Sequence, residues 1–307
     1  MLTIDQLDER QSGIGGSDVG AILGLNPYRS AVDVFLEKTG KVPPDDLSDN
    51  ERVHFGNVLE DIVAQGYARR PCVNVRKRNN TFKHKKYDFA LAHIDRSVDK
   101  ATTVLECKTA DAYTKGNWGK AGTDEVPDSY LVQVAWYMGI LGYPWGDLAV
   151  LIGGNDFRIY NFNRDLELEE MLFRKAGEFW TNHILKDVTP PPSCDRDLET
   201  LYAMDNGKSI VATPEIEASA KILAEYKKLI KECEDLANTE LFKIKAFMGE
   251  HAEVLLSEDN KKLCTWKNNK DSKRFDAKAF QTANAALYNA YTFTKRGARP
   301  FLLKIKP

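Results

Sequence analysis

Hydrophobic and polar positions follow a period of two in the middle of the first 190 residues, and spacings of three and four around it. Phe89-Ala90-Leu91-Ala92-His93-Ile94 and Thr102-Thr103-Val104-Leu105-Glu106 are short runs rich in β-branched and aromatic residues. With Ser97, Asp99 and Lys100 between them they predict two strands of a hairpin. Cys72 to Arg78 and Thr81 to His84 read as strands leading into that hairpin. Residues 147–152 and 157–162 form a second one over Gly153-Gly154-Asn155-Asp156. Helical spacing predicts helices over residues 51–69, 129–141 and 165–186, the first with Val53, Val58, Ile62 and Tyr67 as its apolar members. A glycine-rich turn leads into a short helix with Ser17 as N-cap and Asp18 in its first turn; Ser30 opens another that ends before Pro43-Pro44. The run Thr189-Pro190-Pro191-Pro192-Ser193 is the sharpest break in the pattern and divides residues 1–190 from residues 191–307.

Beyond that break the pattern changes. Ile216, Leu223, Tyr226, Ile230, Cys233, Ala237, Leu241 and Ile244 recur at spacings of three, four and seven, which predicts one long helix over residues 214–247 with a single apolar stripe. Such a stripe suits an antiparallel helix partner or a protein–protein contact. Two short strand-like runs follow, at residues 253–257 and 262–267.

With 307 residues and 43% hydrophobic content the chain can bury a substantial core. Its formal net charge of −2 argues against indiscriminate coating of nucleic acid, but leaves room for a local basic groove. Arg76, Lys77, Arg78, Lys83, Lys85 and Lys86 are the most basic local patch. No stretch approaches a membrane span and the opening MLTIDQLDER is not a signal peptide, so a cytoplasmic protein without a membrane partner is expected. The five cysteines (Cys72, Cys107, Cys194, Cys233, Cys264) are isolated, which predicts a reducing compartment and neither zinc nor an iron–sulfur cluster.

Candidate chemistry concentrates around the first hairpin. Asp95 ends one strand and Glu106 the other, so both carboxylates fall where one hard divalent cation could take them. Lys108 stands two residues past Glu106 and leaves the same face. Two carboxylates for Mg²⁺ and an ammonium for water describe a phosphodiester-cleaving site. An Asp followed by Glu-x-Lys is common by chance in a chain with 29% charged residues. Here, however, Glu106 follows Val104-Leu105, and an acid at the end of a buried strand needs a partner or a metal. Glu60 lies among Leu59, Ile62 and Val63; it is either a solvated helix carboxylate or a further site residue. Gln133 is the single amide of an apolar helix and shares a face with Tyr137, four residues on. The turn from Arg10 to Ser17 is either an ordinary capped helix start or an anion site. In the polar loop 111–127, Tyr113 and Trp118 could stack on a base or simply pack.

Asp95…Glu106-Cys107-Lys108 resembles the core of the PD-(D/E)XK nucleases. The flanking segments resemble the YqaJ branch of that superfamily, viral recombinase nucleases that include phage λ-type exonuclease. The matching stretches are Gly13 to Arg29 (GIGGSDVGAILGLNPYR), Gly56-x-x-x-Glu60 and Gln133-x-x-x-Tyr137; the resemblance covers most of residues 8–190 and is weak beyond residue 200. It implies an α/β, restriction-endonuclease-like core: a central mixed sheet flanked by helices, with a helical and small β extension at the C-terminus. It implies Mg²⁺-dependent hydrolysis of DNA, Mn²⁺ being possible, by 5′→3′ exonuclease action on double-stranded ends that leaves 3′ single-stranded tails. Asp95, Glu106 and the Cys107 carbonyl would hold metal, Lys108 would orient or deprotonate water, and Glu60 and Gln133 would complete the catalytic set. Arg10 and Ser17, seven residues apart, would grip a 5′-terminal phosphate, with His93 and Tyr137 near the substrate. His93 departs from the family pattern, in which a small residue stands two positions before the Asp. The family context further implies phage or prophage origin, action in the bacterial host cytoplasm, a single-strand annealing protein as partner and a trimeric ring. Two rival readings share this sequence: a structure-specific or nicking endonuclease, and a non-enzymatic module that binds DNA or a recombination partner.

Overall fold

The computed structural model describes residues 9–43, 49–70, 73–78, 80–98, 102–295 and 297–305. Residues 1–8, Pro44, Cys72, Asp99 and Lys100 lie outside these, and with them part of the expected strand 72–78 and of the expected turn. The chain divides into two compact units, residues 1–201 and 202–307.

The first unit opens with α1 (Gly16–Ile22), α2 (Ala31–Lys38) and α3 (Glu51–Arg69), followed by β1 (Val75–Lys77), β2 (Phe82–Lys83), β3 (Leu91–Ala92), β4 (Arg96–Val98) and β5 (Thr103–Ala110). A 3₁₀ turn (Ala112–Asn117) leads to α4 (Asp128–Leu141), β6 (Trp145–Ile152), β7 (Asp156–Asn163), α5 (Leu166–Phe179) and α6 (Asp195–Leu201). The main sheet runs β1-β4-β5-β6-β7. Only β5 and β6 are parallel, and α4 is the crossover that a parallel pair requires.

The alternation of β5 and β6 sorts their side chains onto two cores. Val104, Leu148 and Val150 face α4 together with Trp136 and Met138. Leu105, Cys107 and Ala149 face α3, against Val63, Ala64 and Tyr67. Helices thus cover both faces of a mixed sheet, as expected for the α/β class.

Strand pairing around the expected hairpin differs from the sequence reading. The partner of β5 is β4, with Arg96 opposite Leu105 and Ser97 opposite Val104. Ser97, expected in the turn, is therefore a strand residue. Of residues 89–94 only Leu91-Ala92 is a strand, and it pairs with Phe82-Lys83. The chain leaves one ladder for the other at His93–Asp95, where a side chain replaces main-chain pairing: Cys107 N–H donates to Asp95 Oδ2 at 2.9 Å. In α3 the buried face is Val63, Ala64, Gly66 and Tyr67, while Val58 and Ile62, expected to be buried, are exposed. The helix is rotated so that Val63, Ala64 and Tyr67 meet the sheet in place of Val58 and Ile62.

The N-cap of α1 is Gly15, not Ser17; Asp18 at the third helical position accepts the Gly15 N–H at 2.8 Å. Ser17 is exposed in the first turn. The glycines here serve close packing. A Cβ on Gly16 would stand 2.6 Å from the Tyr137 ring, and one on Gly13 2.5 Å from the Phe89 carbonyl, where residue 14 bridges to Ala90. Asp18 is buried and paired with Lys38 at 2.8 Å and Arg29 at 2.5 Å. Burial alone would raise its pKa, but Lys38 and Arg29 outweigh that and hold the carboxyl below the usual range. A depressed folded-state pKa contributes stability above the unfolded value, and this is lost as pH falls through the folded one. Asp18→Asn is expected to cost about 3–5 kcal/mol, because it leaves two cations without their buried partner. Urea unfolding should also show the wild type, but not the variant, losing this increment in acid; equal stabilities at neutral pH would refute the role.

The first unit extends past the proline run, where the sequence placed its end at residue 190. The reason is α6. Asp197 is 1% exposed and accepts from Ser30 Oγ at 2.6 Å and Ser193 N–H at 2.7 Å, while Arg196 reaches Asp33 and the Tyr28 carbonyl. The second unit holds α7 (Pro214–Met248), the antiparallel pair β8 (Val254–Leu256) and β9 (Lys262–Thr265), and the short helices α8 (Ala277–Ala283) and α9 (Ala285–Ala290). Among the described residues no helix is long and apolar enough to cross a membrane.

Candidate active site

Glu106 and Lys108 leave β5 on the α4 side, as their spacing requires, and meet there: Lys108 Nζ lies 2.7 Å from Glu106 Oε1. Gln133 faces them from α4, donating to Glu106 Oε1 at 2.8 Å and to Tyr137 Oη at 3.0 Å. Asp95, at the head of β4, turns its carboxylate onto the β5 main chain at Cys107. Asp95, Glu106, Lys108, Gln133 and Tyr137 therefore form one constellation. Lys108 and Gln133 open onto a cleft of about 1570 Å³, whose lining includes Ser17, Tyr28, Arg29 and Phe55.

The electrostatics of this group would suit a cation. Glu106 is 2% exposed and its Oε2 is a buried atom without a hydrogen-bond partner. Orphaned buried carboxylate oxygens are costly, so a ligand for it is expected. Burial and the neighbouring Glu106 push the Asp95 carboxyl up to about 8. The Asp95 and Glu106 carboxylates offer hard oxygens, which would suit Mg²⁺ or Mn²⁺. Lys108 is buried, which lowers an ammonium pKa, yet Glu106 and Asp95 outweigh burial and raise it. Burial and the acids likewise push the Cys107 thiol up, so its sulfur is a poor ligand.

Among the described residues no three His, Cys, Asp or Glu side chains converge into a ready metal cage. The third acid of the sequence reading, Glu60, is nearby but engaged: Arg96 Nη1 donates to its Oε1 at 2.6 Å. His93 lies apart, its Nε2 2.9 Å from Thr81 Oγ1; burial first, then Arg10, push its pKa down. Arg10 is exposed and is not part of the cleft lining, whereas Ser17 is on it. At the α1 start Asp18 accepts the N–H of the N-cap Gly15 and so sets a carboxylate there. Trp118 is buried against Tyr130 and Tyr160, so it packs; Tyr113 is exposed.

Sequence reasoning missed Arg96. A signal was present: an Arg directly after the Asp on a buried strand, and the acidic pair Glu60-Asp61 on a helix to receive it. Arg29 was missed as well, being read only as part of a family signature although it ties Asp18 and Glu37 at the cleft.

Residues 5–144 match the YqaJ-like viral recombinase domain. The protein YqaJ of Bacillus subtilis (strain 168) is 40% identical over 214 residues, an alignment covering 67% of this chain and 66% of that relative, just short of two thirds of its length. Among solved structures, the alkaline exonuclease of Laribacter hongkongensis superposes with a TM-score of 0.50 at 15% identity, over 60% of this chain and 94% of that one. The same protein in complex with dAMP gives 0.50 at 16% identity, over 66% and 98%. Identity this low shows a shared fold and nothing further. In its match over residues 5–144 and in its Bacillus relative the chain is similar to the YqaJ-like viral recombinase family, and its mixed sheet flanked by helices shares the fold of the Laribacter exonuclease.

Proposed function

We propose that the protein is a divalent-metal-dependent DNA nuclease, acting as a 5′→3′ exonuclease on double-stranded ends and leaving 3′ single-stranded tails. The observation that carries this reading is Glu106: a buried carboxylate with one oxygen held by Lys108 and Gln133 and the other without a donor, beside Asp95. The name of the structural neighbour, an alkaline exonuclease, agrees with it. A single-strand annealing protein that takes up the tails, and a homotrimer, are the partners this reading implies.

Asp95, Glu106 and the Cys107 carbonyl would hold the metal, which when bound supplies Lewis-acid polarisation of the phosphate and a more acidic water. Gln133 keeps Glu106 in one orientation, leaving Oε2 turned to the cation side. Lys108, held protonated by the two acids, orients the attacking water and the phosphate oxygens by donating to them. It can accept a proton only once those carboxylates are neutralised, since their field is what raises its pKa.

One observation favours an endonuclease instead. Asp18 sets a carboxylate at the α1 N-terminus, where it would oppose a 5′-phosphate, and Arg10 is not on the cleft lining. A digestion decides between the readings. Linear duplex with 5′-phosphates should be degraded about tenfold faster than the same duplex with 5′-hydroxyls, closed circles should survive, and Arg10→Ala should erase most of the preference. Cleavage of closed circles, with equal rates on both ends, would establish the endonuclease.

A further inference from the structure

Arg96 stands opposite Leu105 in the sheet, so it shares the face turned to α3. Its side chain is 4% exposed, and its guanidinium is shared three ways. Nη1 donates to Glu60 Oε1 at 2.6 Å and to the Asp95 carbonyl at 2.7 Å, and Nη2 pairs with Asp61. One buried fork therefore links α3, through Glu60, to the main chain of Asp95. Pairing a buried arginine with partly exposed acids is weak grounds for a role in stability, because desolvating the arginine offsets most of what the pairing returns. Geometry is what such a fork supplies: two fixed N–H directions hold two acceptors in register. The bond to Glu60 uses one carboxylate oxygen and leaves the other to accept elsewhere.

We propose that Arg96 is a positioning residue, which ties Glu60 of α3 to the main chain of Asp95 and so holds the Asp95 carboxylate where a cation shared with Glu106 needs it. The proposal rests on the metal-dependent nuclease reading and adds to it a residue that touches neither substrate nor metal. Gln133 and Arg96 then act from opposite faces of the sheet, one on the Glu106 carboxylate and the other on the main chain of Asp95.

A double-mutant cycle tests this, with Arg96→Gln, Arg96→Lys, Glu60→Gln and the double variant Glu60→Gln/Arg96→Gln. The readouts are kcat and KM on linear duplex, Mn²⁺ affinity by calorimetry, and Tm. Glu60 and Asp61 are partly and largely exposed, so water replaces the lost guanidinium and the variants fold. Arg96→Gln and Glu60→Gln should each lower kcat and weaken Mn²⁺ binding by about tenfold, with KM for DNA unchanged. The double variant should be no worse than Glu60→Gln alone. Arg96→Lys should recover only part of the loss, because one ammonium cannot reproduce the fork. Multiplicative losses in the double variant, tighter Mn²⁺ binding by Arg96→Gln, or a lowered Tm with turnover intact would each overturn the positioning role while leaving the nuclease standing. A wild type that binds Mn²⁺ but cuts nothing would defeat the nuclease reading, and the cycle would still be decided on Mn²⁺ affinity. A wild type that neither binds nor cuts would defeat both.

Discussion

Glu106→Ala is expected to reduce DNA hydrolysis by at least about a hundredfold, since one metal ligand or one group aimed at the developing charge is typically worth that much. Lys108→Ala should do the same by a different route. Glu106 supplies the only buried acceptor atom among the described side chains that has no donor, so its loss removes the cation's anchor on β5. Lys108 pairs with the same carboxylate at 2.7 Å, so its loss leaves the anchor but removes the ammonium. Calorimetry with Mn²⁺ separates the two: Glu106→Ala should bind the ion poorly, whereas Lys108→Ala, relieved of a competing positive charge, should bind it at least as well. The wild type should be silent in EDTA. DNA cleavage at the wild-type rate by Glu106→Ala would end the assignment.

For Gln133→Ala the expected result is a fall in kcat of about 10–100-fold with little change in KM for DNA, the range typical of groups that orient a metal ligand. Gln133 is 8% exposed and bridges Glu106 Oε1 and Tyr137 Oη. Without it Lys108 still neutralises Glu106, so the fold should persist with a modest loss of stability. The carboxylate, however, would have one restraint where it had two, and Tyr137 would lose its hydrogen-bond partner. A buried amide serving only the core would behave in the opposite way, with a lowered Tm and unaltered turnover of the folded enzyme. Steady-state kinetics and thermal unfolding of the purified variant distinguish the two.

Local chemistry made much of this protein legible. Glu106 and Lys108 share a face because strand side chains alternate, and that holds wherever the strand is placed. Gln133 was conspicuous as one amide in SYLVQVAWYMGIL, and an apolar helix with one amide aims it at something polar. Asn50 and Asp165 cap helices whose extents follow from their own spacing, and residues 153–154 make their turn by adopting positive φ, as glycine readily does.

Tertiary structure decided what local pattern leaves degenerate. Residues 89–94 and 96–98 have similar strand character, and which of them pairs with β5 depends on a ladder closed from a distance. The outcome turns on Asp95, whose carboxylate replaces main-chain pairing at Cys107. Helix α3 has more apolar residues than one face can bury, and the sheet selected Val63 and Tyr67 over Val58 and Ile62. Gly15 rather than Ser17 caps α1 because Asp18 is drawn inward by Lys38 and Arg29. The proline run did not end the first unit, because Asp197, far along the chain, is hydrogen-bonded to Ser30. Arg96 belongs to the same class: its neighbour Asp95 was visible by spacing, but a buried guanidinium acquires its role only from the acids that another element brings to it. Period and propensity act over a few residues and are written in the sequence by itself. Partner choice among buried charges depends on desolvation, and that is settled only when distant segments close on one another.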